Sequence, residues 1–160
     1  MKLSKKNQRG HASRQAGFTF IELLIVVLVL TVLLAITLIT LNINPARQSA
    51  QTNNEKRKSD VNAILNAVNQ YMADNKGAVP SGITGSVQTI ANTGANICAA
   101  LVPQYIEGLP RDPLTANGVV VTDCTVAYNT NYTVVQGATN SKITVNAPAV
   151  ELGKSVSVTR

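Results

Sequence analysis

From Leu23 to Leu41 the chain carries no charged residue, and apart from Thr31, Thr37 and Thr40 every side chain in that run is apolar. A helix over these 19 residues would be about 28 Å long at roughly 1.5 Å per residue, against a hydrocarbon core of about 30 Å. The run can span a membrane, so the remainder must be read as what flanks such a helix.

The charges flank it unevenly. The formal net charge is +6, a value that would suit a nucleic-acid or membrane-surface partner if it were spread over the chain. Lys2, Lys5, Lys6, Arg9 and Arg14, however, all precede Gly17, where no acid is found. Without them nine basic residues face eight acidic ones, and the near balance argues against a nucleic-acid-binding protein. The basic flank fits the side of a membrane helix that stays cytoplasmic, which puts everything after Leu41 outside.

Residues 1–17 are basic and polar without an apolar run of their own, and so read as a leader. An ordinary secretory signal is the alternative. It needs a short apolar region followed by a small-residue cleavage site, and Leu41-Asn42-Ile43-Asn44-Pro45 supplies no such site.

Past the apolar run, Asn44-Pro45 has the form of a helix N-cap followed by proline at the first helical position. Val61, Ile64, Leu65, Val68 and Met72 then recur on one helix face, with Lys58, Asp60, Asn62, Asn66 and Asn69 assigned to the other. Gly77 and Pro80 end this amphipathic helix. Residues 77–96, rich in Gly, Ser, Thr and Asn, read as a surface loop, with a short helix following near Ile97–Val102. Strands are expected at Val119–Val121, Thr125–Tyr128, Tyr132–Gln136, Ile143–Val145 and Val156–Val158. The expected fold is α+β. Its parts are a leader (1–17), a membrane or filament-core helix (18–44), an amphipathic helix (45–76) and a head with a small antiparallel sheet (77–160).

Cys98 and Cys124 fall on the outer side, where a disulfide persists. A bridge between them is favoured over two buried thiols, and closing that loop would stabilise the head by roughly 3–4 kcal/mol in the chain-entropy account. Metal ligation is weaker, because the single histidine, His11, lies in the leader.

Gly17-Phe18-Thr19-Phe20-Ile21-Glu22-Leu23-Leu24-Ile25-Val26-Val27 closely resembles the type IV prepilin signature shared by pilins and type II secretion pseudopilins. The resemblance implies a membrane-embedded aspartyl peptidase that cuts after Gly17 and methylates the new amine of Phe18. It also implies a homo-oligomeric helical filament, inner-membrane pilus or secretion assembly machinery, and no cofactor. Lys56-Arg57-Lys58-Ser59-Asp60-Val61 is similar to the helix entering the family's head, and Leu109-Pro110-Arg111-Asp112-Pro113 to a Pro-Asp-Pro segment of pseudopilin heads. Many members carry a proline inside the apolar run, whereas here Pro45 lies beyond it.

Glu22 is the one acid in or beside the apolar run, and a charge at the bilayer centre costs roughly 2.5–3.5 kcal/mol on insertion scales. Cleavage after Gly17 would create a cation at Phe18, and staggered subunits would bring one subunit's amine to another's Glu22. The plainer alternative is a Glu22 that snorkels to the headgroups. Asp112 and Asp123 are weak candidates for a Ca²⁺ site of the kind some pseudopilins have; solvated loop acids are the favoured reading. An enzyme is disfavoured, since no histidine follows the leader and no phosphate-binding glycine loop is present. The Asn- and Thr-rich head with its cysteine pair favours a pilus subunit. A secretion pseudopilin is the alternative, and a monomeric membrane-anchored binding domain is the third reading.

Overall fold

The computed structural model describes residues 17–41, 44–139 and 141–160. The leader before Gly17 and the Asn42–Ile43 junction lie outside the described residues, as does the Thr40 side chain. The chain divides into two compact units, with the boundary between Ile43 and Asn44.

The first unit is one helix, α1, Phe20–Leu41. Thr19 caps it, its Oγ1 accepting the Glu22 N–H at 3.2 Å while its carbonyl accepts the Leu23 N–H at 3.2 Å. That satisfies donors which a helix start otherwise leaves without partners. The apolar run is interrupted only by threonines, and the Thr31 and Thr37 hydroxyls donate back to the Leu28 and Leu34 carbonyls at 2.8 Å each. The 18 residues Phe20–Thr37 are long and apolar enough to cross a membrane, and none of that stretch is buried. A helix buried in a soluble core passes the same length test; this one differs by exposing its apolar surface on all sides.

The second unit begins with α2, Pro45–Asp74. Asn44 Oδ1 accepts the Arg47 N–H at 3.2 Å, and Pro45 occupies the first turn, where its missing N–H is harmless. At the other end the Gly77 N–H reaches the Met72 carbonyl at 2.7 Å, with Gly77 at φ +87°. Glycine adopts that left-handed geometry without a Cβ penalty. The buried face runs Ala50, Asn54, Arg57, Val61, Ile64 and Val68, with Leu65 beside it. Asp60 is buried too, contrary to its assignment to the solvent side.

Four antiparallel strands complete the head in the order β1 Gln88–Ala91, β2 Asn129–Gln136, β3 Ile143–Asn146 and β4 Ser157–Thr159. The β2–β3 register pairs Val134 with Val145, and β3–β4 pairs Val145 with Val158. Alternate residues Thr130, Tyr132 and Val134 of β2 and Ile143 and Val145 of β3 face the core, where α2 packs. A further short helix, α3, Cys98–Leu101, closes the core beside α2 through Ile97, Cys98 and Leu101. The layout is the expected α+β arrangement.

Three local expectations are corrected. The loop at 77–96 contains β1, whose Gln-Thr-Ile-Ala sequence is a strand because it pairs with β2, an outcome of tertiary context. Its glycine-rich flank reflects close packing: a Cβ on Gly94 would collide with the Thr89 carbonyl oxygen. Val119–Val121 is no strand, making only the isolated bridge between Leu109 and Val121. Thr125–Tyr128 is irregular because its amides find side-chain partners, Thr125 N–H on Asp123 Oδ1 and Tyr128 N–H on Asn92 Oδ1.

Candidate functional site

The residues at the proposed processing point are open to solvent. Phe18 is 82% exposed, and a Cβ built on Gly17 would meet nothing within 4 Å. Glu22 occupies the third position of α1, where a carboxylate is favoured by the helix dipole. Thr19-Phe20-Ile21-Glu22 has the Thr-x-x-Glu spacing of a capping box, and the Thr19 half of that exchange is made. Sequence reasoning that focused on the charge of Glu22 overlooked this cap, although the spacing announces it.

In the head, Cys98 and Cys124 form a disulfide, with Cα atoms 5.5 Å apart. It ties the buried start of α3 to the irregular segment before β2. Tyr128 braces the same corner, its hydroxyl donating to Asn96 Oδ1 at 2.9 Å and accepting the Cys98 N–H at 3.3 Å.

The largest electrostatic feature is centred on Arg57, which sequence reasoning placed only within a helix-entering segment. Its Nε and Nη2 donate to Asp112 at 2.6 and 3.2 Å, and its Nη1 donates to Glu151 Oε2 at 2.8 Å and Asn54 Oδ1 at 2.9 Å. Both Arg57 and Asp112 side chains are fully buried. Asn54 closes the arrangement by donating to the Glu151 carbonyl and accepting the Glu151 N–H. One guanidinium thus holds the proline-flanked segment at Asp112 and the loop at Glu151 against α2. The bonds to Asp112 push the Arg57 pKa further up, and the bond from Arg57 holds Glu151 below the usual carboxylate range. Nearby, buried Tyr132 donates to Asp60 Oδ2 at 2.8 Å, and burial together with that carboxylate raises its pKa.

Asp112 departs from the favoured reading of a solvated loop acid. It is buried, and Arg57 engages both its oxygens. Asp123 Oδ1 accepts the Thr125 N–H and hydroxyl at 2.9 and 2.6 Å, which lowers its pKa. Among the described residues no three His, Cys, Asp or Glu side chains converge to hold a metal ion.

Residues 12–38 match the family described as the prokaryotic N-terminal methylation motif. The chain carries the type IV pilin and pseudopilin signature. The match begins before Gly17 and takes in Gly17, Phe18, Glu22 and most of α1. No curated protein and no solved structure matches the chain. The motif supports a pilin-like or pseudopilin subunit, a structural class. The motif and the exposed, largely apolar stretch Phe20–Thr37 together fit a membrane-anchored subunit.

Proposed function

We propose that this protein is the structural subunit of a type IV pilus-like filament, made as a precursor with residues 1–17 as leader. Prepilin peptidase cuts between Gly17 and Phe18 and the Phe18 amine is methylated. Residues 18–44 then anchor the subunit in the membrane with the head, formed by 45–76 and 77–160, on the outer side. Polymerisation transfers the helix from lipid into a bundle of like helices, where Glu22 of one subunit pairs with the Phe18 amine of another.

The observation that carries this reading is the methylation motif over residues 12–38, which frames an exposed Gly17-Phe18 junction. A Cβ built on Gly17 would meet nothing within 4 Å, so packing among the described residues does not require glycine there. A requirement imposed by a peptidase supplies the reason. Glu22 is exposed in the first turn of α1, and its attraction to a nearby cation would strengthen as water is excluded.

N-terminal mass spectrometry of assembled material tests the reading. The expected chain starts at Phe18 with one added methyl group; an intact leader or a start elsewhere overturns it. A secretion pseudopilin shares every one of these steps, and the proline-flanked Asp112 segment packed against α2 favours it as the second reading.

A further inference from the structure

Arg111 lies one residue before the buried Asp112, yet its own guanidinium has no ion-pair or hydrogen-bond partner among the described residues. Its Nε is buried without an acceptor, a costly arrangement for a charged donor. The side chain lines an open groove of about 400 Å³ together with Asn92, Thr93, Thr115 and Asn129, a volume within the range of roughly 300–1,000 Å³ typical of ligand clefts.

The polar groups of this groove share one hydrogen-bonding bias. Asn92 Oδ1 accepts the Tyr128 N–H, and Asn129 Oδ1 accepts the Asn131 N–H. Both amide oxygens are engaged by backbone, which leaves the amide NH₂ groups as the available functions. Neither the Thr93 nor the Thr115 hydroxyl has a partner among the described residues. The groove therefore offers a guanidinium, two amide donors and two hydroxyls, a set suited to a ligand that combines an anion with several oxygen acceptors. A smaller cavity of about 150 Å³ that Arg111 also lines includes Asp123, whose charge opposes an anion there.

We propose that the groove binds a polyhydroxylated carboxylate, an acidic sugar unit of the hexuronate type. Its carboxylate pairs with Arg111, and its hydroxyls meet the Asn92 and Asn129 amides and the Thr93 and Thr115 hydroxyls. Three chain segments, at 92–93, 111–115 and 127–129, build the site. The Asn92–Tyr128 hydrogen bonds, Asn92 N–H to the Tyr128 carbonyl among them, hold two of these segments together. The inference is independent of filament assembly.

Calorimetric titration of the full chain in detergent micelles with glucuronate tests it, with glucose and acetate as separate arms. Glucuronate should bind saturably and at least about tenfold more tightly than either, because each lacks half of the recognised chemistry. Equal affinity for glucose would remove the role of Arg111, equal affinity for acetate would remove that of the hydroxyl partners, and either result overturns the proposal. Arg111→Gln should weaken glucuronate binding by about tenfold or more. Should that variant lose its cooperative melt, the double variant Thr93→Val with Thr115→Val, which breaks no described hydrogen bond, carries the decision. Its expected outcome is a several-fold loss of affinity, and unchanged affinity overturns the site.

Discussion

Arg57 and Asp112 meet through two bonds, at 2.6 and 3.2 Å, with neither side chain reaching solvent. Removing one partner of such a pair leaves a buried charge alone. Arg57→Ala should destabilise the head by about 3–5 kcal/mol, a large share of the roughly 5–15 kcal/mol that holds a typical domain folded. Pairing Arg57→Met with Asp112→Asn should cost less than the two single changes summed. Chemical denaturation over the double-mutant cycle measures the coupling, and simple additivity would refute it.

Glu151 responds to pH through its bond to Arg57. Its pKa is lower in the folded chain than its ordinary value of 4.5, so it binds protons more readily when unfolded. The stability it contributes is present above that ordinary value and is lost as pH falls through the lower, folded one. Melting temperature should therefore decline on acidification below about pH 5. Glu151→Gln should lower stability at neutral pH and make the acid decline shallower. An acid limb of unchanged slope in the variant would show that Glu151 has no part in it.

The Cys98–Cys124 bridge closes a separation of 26 residues. Replacing both cysteines with serine should reduce head stability by roughly 3–4 kcal/mol and open the 98–124 segment to proteases. Non-reducing peptide mapping of the wild type should find one linked pair. Two alkylatable thiols there would contradict the bridge and the oxidising location that motivates it.

Glu22→Ala separates assembly from folding. Glu22 lies in the apolar-helix unit, while the head keeps its own core and disulfide. Filament incorporation should fall sharply, since a neighbouring Phe18 amine would lose its counter-charge. Membrane insertion should hold or improve slightly, and the melting of the head should not move. Normal filament yield from the variant alone would refute the pairing.

How far these features could be read in advance depended on the range of the interactions behind them. α1 was legible from its uncharged, largely apolar run, and α2 from the spacing of Val61, Ile64, Leu65 and Val68. The β-branched and aromatic residues of Tyr132–Gln136 and Ile143–Val145 marked β2 and β3. Gln88–Ala91 offers only Thr89 and Ile90 within a Gly-, Ser- and Asn-rich stretch, and its pairing is with residues some forty positions later. Arg57 was obscured by its neighbours Lys56 and Lys58, since a run of three cations reads as solvated. Its acidic partners lie 55 and 94 residues away, beyond any local pattern. One clue was available: extending the apolar face of α2 backwards by helical steps from Val61 lands on Arg57, Asn54 and Ala50.

The outer strands of the sheet bear on crowding. β4 is three residues long, and β1, with four, loses regular register between Thr89 and Ala91. Short, irregular margins make poor templates for adding a strand from another molecule. Heads brought to high local concentration are thereby guarded against sticking edge to edge and nucleating amyloid-like ribbons, a hazard that a longer, flatter margin would invite.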